Sequence, residues 1–128
     1  MKVEVLYAID ELKKQFSTSI LTADEDGQGG AHIIIEGVAI GSKYQPSNTW
    51  LGFQIPAQYP YADIYPVFIG ADIRRVTGVP FAPPVTPGHN YRGRPALQIS
   101  RRNSAAQNGQ QKVSSKILKV LNFLENLT

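Results

Sequence analysis

The amino-acid sequence predicts an α+β fold, with one helix at each end of the chain packed against an antiparallel sheet. Apolar residues recur at helical spacing near both ends. Between them, four short apolar runs are separated by turn-forming residues, which is typical of sequential strands in an antiparallel meander. A proline-rich stretch, residues 83–102, follows the last run. The predicted order is therefore a helix, about four strands, a long irregular segment and a second helix.

Both terminal helices are predicted from apolar stripes. The first helix, over residues 3–16, has apolar side chains at intervals of four, three and four residues: Val5, Ile9, Leu12 and Phe16. The second helix, over residues 112–127, has a similar stripe: Val113, Ile117, Leu121 and Leu124. The lysines of the second helix are expected on its solvated side: Lys112, Lys116 and Lys119.

Four strands are predicted over residues 19–23, 31–40, 50–55 and 67–70. Apolar and β-branched residues fill these runs. In the third strand, Leu51, Phe53 and Ile55 alternate with residues of the other face, which is the period of a strand. Glycines, prolines and small polar residues separate the runs and favour turns.

Residues 83–102 cannot form a regular helix, because they contain four prolines, which lack the N–H donor. The stretch is also too polar and too often interrupted for a central strand. Long irregular segments in small domains are usually functional or disordered. The apolar side chains of Tyr91, Leu97 and Ile99 favour a docked segment. The sequence therefore predicts a fixed loop that carries the functional site.

The composition is that of a globular protein. The chain has 128 residues, of which 42% are hydrophobic and 18% charged, so one domain over residues 1–128 is expected. No apolar run is long enough to span a membrane, and the first residues lack a signal-peptide pattern, which predicts a cytoplasmic protein. The absence of cysteine excludes disulfides, thiolate metal sites and a cysteine nucleophile in this chain. Asp24 and Asp26 lack the rest of a calcium-loop pattern, so no metal site is expected.

The net charge of +3 is unevenly distributed along the chain. Residues 1–30 hold three lysines and six acids, whereas residues 88–128 hold seven basic residues and one acid, Glu125. The basic third is either a solvated face or a patch that steers an acidic partner. Nucleic acid is the less favoured partner, because no aromatic interleaving or binding motif accompanies the charge.

Several short motifs and the element order resemble the ubiquitin-conjugating enzyme superfamily over nearly the whole chain. The likeness begins at Ile55-Pro56 and continues through Tyr59-Pro60-Tyr61 to Tyr65-Pro66-Val67-Phe68. It continues with His89-Asn90-Tyr91, Gly93 and Ala96-Leu97, where the superfamily has a His-Pro-Asn motif, a glycine and then the catalytic cysteine followed by leucine.

Three features depart from the superfamily pattern. No proline separates His89 from Asn90, the interval from Asn90 to residue 96 is short, and Ala96 stands where the superfamily has its cysteine. The first two features indicate a divergent branch similar to bacterial ubiquitin-conjugating-like proteins. Ala96 is either an introduced replacement for cysteine or the residue of a naturally inactive variant.

The resemblance implies a carrier that accepts a ubiquitin-like modifier from an activating enzyme as a thioester and passes it to an amine. This chemistry needs a thiolate, so the chain with Ala96 is expected to be inactive. In the active form, residue 96 would be the cysteine, Asn90 would support the oxyanion or its loop, and His89 would hold the loop. No metal or organic cofactor is implied.

The resemblance also implies surfaces for protein partners, which would include a ligase or a target protein. The exposed side of the first helix, with Lys13 and Lys14, would meet the activating enzyme. The segment Tyr59-Pro60-Tyr61 would meet a ligase or another partner. Four arginines flank the expected site and would attract acidic surface on the modifier or the activating enzyme: Arg92, Arg94, Arg101 and Arg102.

Two other classes of function remain open at this stage. A hydrolase would pair His89 with Ser100 or Ser104 as the nucleophile, but the sequence has no nucleophile elbow and no carboxylate nearby. A non-catalytic member of the same superfamily would bind a modifier or another partner as a scaffold. The scaffold would gain no chemistry when a thiol is placed at residue 96.

Overall fold

The computed structural model describes residues 1–101 and 112–127, and it confirms the α+β class with a helix at each end of an antiparallel sheet. The elements in chain order are α1 (Val3–Gln15), β1 (Leu21–Glu25), β2 (Ala31–Ala39), β3 (Tyr44–Gln45), β4 (Asn48–Ile55), β5 (Val67–Gly70), β6 (Arg74–Arg75), β7 (Val85–Tyr91), β8 (Arg94–Ile99) and α2 (Val113–Asn126). Within these described residues, neither helix is long and apolar enough to cross a bilayer.

Six strands form one antiparallel sheet in the order β1-β2-β4-β5-β8-β7. The strands β1, β2, β4 and β5 follow each other as the predicted meander. Among the described strands, the short β3 and β6 pair only with each other, in a separate two-stranded sheet. The main sheet therefore contains two strands, β7 and β8, that the sequence did not predict.

The prediction of a loop over residues 83–102 is wrong, because β7 and β8 form a hairpin there and β8 is an internal strand of the sheet. Pro95 pairs with Asn90 in the hairpin, so the two prolines within β7 and β8 are tolerated at positions where a missing N–H can be accommodated. Pro87 lies at a register shift within the edge strand β7. Pro95 directly precedes Ala96, the first residue of β8 that pairs with β5.

The hairpin closes through a two-residue turn at Arg92-Gly93. Both residues have positive φ, 50° for Arg92 and 83° for Gly93. A turn with two positive φ angles has the twist that matches the flanking strands of a hairpin. The proline-rich stretch is thus an ordered part of the sheet instead of a separate loop.

The apolar core lies between one face of the sheet and the two helices. Buried side chains of the helices, such as Leu12 and Ile117, belong to the same cluster as the inward residues of β4. These inward residues are Leu51, Phe53 and Ile55, as the alternation predicted. The opposite face of the sheet, which we call the outer face, is free of the helices.

One lysine of α2 is buried and does not lie on the expected solvated face. The Lys116 ammonium lies 3.2 Å from the Asp63 carboxylate and donates a hydrogen bond of 2.6 Å to the carbonyl of Arg101. One turn earlier, the N–H of Val113 donates to the Tyr59 hydroxyl at 3.0 Å. The start of α2 is therefore fixed to the segment that precedes β5.

Candidate functional site

Ala96 lies on the outer face, in β8, the strand next to the edge strand β7. It pairs with Gly70 of β5 on one side and with His89 of β7 on the other. Only 1% of its surface is exposed, although it does not belong to the apolar core under the helices. The position where the resemblance expects a nucleophile is therefore a buried position within a regular strand.

His89 shares the outer face with Ala96, because residues paired across a hairpin point the same way. Its Nε2 lies 2.9 Å from the Thr86 hydroxyl, across the register shift of β7. Its ring also packs near Phe68, at a centroid distance of 6.4 Å. These contacts hold the irregular edge strand together, which agrees with a structural role for His89.

Asn90 does not lie beside Ala96. Successive residues of a strand point to opposite faces, so Asn90 is on the face opposite to His89 and Ala96. Its side-chain carbonyl accepts the N–H of Gly93 at 2.9 Å and closes the hairpin turn. The structure therefore brings together two of the three residues expected in a catalytic site, Ala96 and His89, and separates Asn90 from them.

Tyr91 fixes the tip of the hairpin onto the outer face. Its ring stacks on Phe68 and Trp50, at centroid distances of 5.0 and 6.1 Å. Its hydroxyl lies within hydrogen-bonding distance of two carbonyl oxygens, that of Phe53 at 2.8 Å and that of Ile33 at 3.1 Å. Burial raises the pKa of Tyr91 to about 12.

Gly52 makes this docking possible. A Cβ at this position would lie 2.5 Å from the Tyr91 ring. Carbon atoms in contact normally stay about 3.5 to 4.0 Å apart. The absence of a side chain at Gly52 therefore provides the space into which the tyrosine ring fits.

Arg92 and Arg94 are engaged within the molecule. Arg92 lies 3.2 Å from the Asp24 carboxylate. Arg94 makes a two-pronged pair with Glu36, with distances of 3.1 and 2.7 Å, and its guanidinium lies 5.4 Å from the centroid of the Trp50 ring. These hydrogen bonds lower the pKa of Glu36 and raise the pKa of Arg94. Much of the charge expected to attract a partner near residue 96 is thus neutralised internally.

The other residues expected to bind partners lie on separate surfaces. Lys13 and Lys14 are exposed in the last turn of α1. Tyr61 is 69% exposed, whereas Tyr59 is 8% exposed, and burial raises the pKa of Tyr59. Pro60 between them is half-buried. Tyr59 is thus a structural residue of this segment, and Tyr61 is the residue that solvent or a partner can reach.

The last two arginines fall elsewhere. Arg101 follows β8 and lies against α2, with its guanidinium 4.6 Å from the centroid of the Phe123 ring. Arg102 lies outside the described residues, as does Ser104. Ser100 accepts a hydrogen bond of 2.8 Å from Gln98, and it is Thr86 that lies beside the His89 ring. The geometry therefore gives no support to a hydrolase built on His89 and Ser100.

A shallow cleft of about 560 Å³ lies next to Ala96 on the outer face. Small residues form most of its wall, and its charged side chains are Asp72 and Arg94. It contains no hydroxyl or thiol nucleophile. Over residues 1–101 and 112–127, no group of three or more histidine, aspartate or glutamate side chains is placed to hold a metal ion. The ionisable side chains that line the cleft are thus one carboxylate and one guanidinium.

Sequence reasoning missed Trp50, Thr86 and Glu36 as parts of this surface. The alternation along β4 already places Trp50 opposite to the core residue Leu51. A glycine-containing turn at Arg92-Gly93 is a possible hairpin signal in the sequence. A hairpin there would have placed Thr86 and Arg94 on neighbouring strands of a sheet. The pairing of Glu36 itself has no local signal, since its partner is 58 positions away.

Comparison with protein-family models, with curated proteins and with solved structures finds no match for this chain. The likeness to the ubiquitin-conjugating superfamily therefore depends on the motifs and the element order alone.

Proposed function

We propose that this protein is a ubiquitin-conjugating-like domain that binds a modifier or another protein partner as a scaffold. The order of a first helix, four meandering strands and a final helix is compatible with that superfamily. The Tyr-Pro segments that precede β5 support the same assignment. Ala96, in place of a nucleophile, makes the domain non-catalytic.

The observation that carries the proposal is the burial of Ala96, with 1% of its surface exposed in an internal strand. A carrier needs a thiolate that a modifier's carboxyl carbon can reach. Burial in an apolar environment raises a thiol pKa and lowers its reactivity. A cysteine at this position would therefore be a poor nucleophile, and Asn90 would point away from any oxyanion formed there.

The active carrier is the second candidate function. His89 lies directly opposite Ala96 on the same face, which preserves the proximity of histidine and nucleophile that the resemblance implies. In this version Ala96 replaces a cysteine, and a movement of the hairpin would be needed to expose it. The two functions differ in one outcome: a thiol at residue 96 forms a thioester with a modifier in the carrier and does not do so in the scaffold.

The deciding experiment places a single thiol at that position. The chain has no cysteine, so Ala96→Cys and the control Ser42→Cys, at an exposed position, each carry one thiol. We expect a soluble disulfide reagent to label residue 42 quickly. An opening free energy of about 3 kcal/mol at residue 96 would slow its labelling about 100-fold.

The same variants are then incubated with candidate activating enzymes, ubiquitin-like modifiers and ATP. The scaffold predicts no reductant-sensitive adduct on Ala96→Cys, together with saturable binding of a modifier to the unmodified chain. A reductant-sensitive band, heavier by one modifier on Ala96→Cys and missing on Ser42→Cys, would establish the carrier and reject the scaffold. If neither adduct nor binding is found with any modifier tested, the carrier and the modifier-binding scaffold both fail.

A further inference from the structure

The basic charge of the last third of the chain is distributed differently from what the sequence suggests. Three of its cations are held in internal ion pairs: Arg92 with Asp24, Arg94 with Glu36, and Lys116 with Asp63. Arg101 and Lys119 take part in none of the ion pairs found among residues 1–101 and 112–127. The uncompensated positive charge of this region therefore includes these two residues, which lie together.

Arg101 and Lys119 line one cleft of about 450 Å³ along α2, which we call the α2 cleft. Its other lining residues are Asn122, Phe123, Asn126 and Leu127. None of these lining side chains is a carboxylate. The cleft thus combines two cations with two side-chain amides, all of which can donate hydrogen bonds to an anionic ligand.

Arg101 is held ready for such a ligand. Its guanidinium stacks over Phe123 at 4.6 Å, and its backbone carbonyl accepts the hydrogen bond from the buried Lys116. Stacking occupies the flat face of a guanidinium and leaves its N–H edges free for a planar acid. A side chain fixed in this way loses less conformational entropy when it binds.

The end of α2 does not require these two cations for its own stability. The last carbonyls of a helix carry a partial negative charge, which a nearby cation compensates. Here Lys43 takes that place, with its ammonium donating to the carbonyl of Leu127 at 3.3 Å. Lys119 lies two turns before the end of the helix, so its charge remains available to a partner.

We propose that the α2 cleft binds an acidic segment of a partner protein, with its carboxylates paired to Arg101 and Lys119 and hydrogen-bonded to Asn122. Paired hydrogen bonds between a guanidinium and a carboxylate are strong and directional. A nucleic acid fits less well, because single strands are held by free aromatic faces, and Arg101 already covers the Phe123 ring. This site is separate from residue 96 and does not depend on the proposed scaffold function.

The test uses a fluorescein-labelled hexaglutamate peptide and measures fluorescence anisotropy at low and at physiological salt. The test variant is Arg101→Glu with Lys119→Glu. The matched control is Arg74→Glu with Arg75→Glu, which changes the net charge equally at two arginines that also lack an ion pair among the described residues. We expect the test variant to bind about 10-fold more weakly or worse, and the control to stay within about 2-fold of the unmodified protein.

A second variant, Lys119→Glu with Asn122→Asp, changes two exposed residues of α2 and leaves the Arg101–Phe123 stack in place. This variant should weaken the binding of the peptide to a similar degree, and its circular dichroism spectrum should be unchanged. The proposal is overturned if the peptide does not bind, or if test and control variants lose the same affinity. It is also overturned if labelled oligodeoxythymidine binds more tightly than the peptide and loses its binding in the test variant.

Discussion

Removing the ammonium of Lys116 should destabilise the fold more than any surface charge change. The side chain is 5% exposed and its partner Asp63 is 13% exposed, so the pair is almost fully removed from water. In Lys116→Met, the Arg101 carbonyl loses the ammonium that donates to it, and the Asp63 carboxylate loses the cation that lies 3.2 Å away. Breaking a buried ion pair on one side costs about 3 to 5 kcal/mol.

The control is Arg92→Met, which removes one cation from an ion pair whose side chains are 38% and 55% exposed. Exposed pairs contribute about 1 kcal/mol or less. The fluorescence of Trp50, the single tryptophan, can monitor urea unfolding and give the free energy of unfolding of both variants. For a domain of this size, 3 to 5 kcal/mol corresponds to a fall in Tm of roughly 10 to 20 °C.

A second step tests whether the pair itself is responsible. In the double variant Lys116→Met with Asp63→Asn, the buried carboxylate charge that faced the ammonium is removed as well, so part of the lost stability should return. A coupling energy of about 1 kcal/mol or more between the two positions is expected for residues in one ion pair. If Lys116→Met proved no more destabilising than Arg92→Met, the reasoning from burial would be refuted.

Two further predictions concern the docking of Tyr91. Gly52→Ala should destabilise by about 1 to 3 kcal/mol, because the new methyl group would overlap the rings of Tyr91 and Trp50, at 2.5 and 2.8 Å. Urea unfolding should show part of this loss relieved in the background Tyr91→Leu, in which the overlap with Trp50 remains, and an equal loss in both backgrounds would contradict the contact with Tyr91. Raising the pH from 10 to 12 should lower the stability of the unmodified protein more than that of Tyr91→Phe. The unfolded state releases the phenol proton near pH 10.0, whereas the folded state keeps it to about pH 12. Identical pH profiles for the two proteins would mean that the hydroxyl is not buried as described.

The sequence predicted the elements whose signals are local. Residues 3–16 and 112–127 were predicted as helices, and the structure has helices over Val3–Gln15 and Val113–Asn126. The strand over residues 67–70 was predicted with its observed bounds, and the strands over 31–40 and 50–55 overlap the observed strands β2 and β4. In these cases the apolar period and the flanking turn residues agree with the tertiary fold.

The hairpin over residues 85–99 does not follow from the same rules, because prolines in a sequence favour irregular backbone over a strand. Proline is excluded from the regular ladder, but the structure places Pro87 at a register shift and Pro95 outside the pairs with β5. The pairing of Arg92 with Asp24 joins residues 68 positions apart. No local sequence pattern indicates such a contact. The ion pairs that neutralise part of the basic charge can therefore be recognised only in the folded structure.

The register shift in β7 also affects how this protein behaves at high concentration. A regular edge strand offers a row of unpaired backbone groups on which a strand of a neighbouring molecule can add. In β7 this row is interrupted between Thr86 and His89, and Pro87 has no N–H to offer. We therefore expect strand addition at the β7 edge to be disfavoured, by the same irregularity that concealed this strand from prediction.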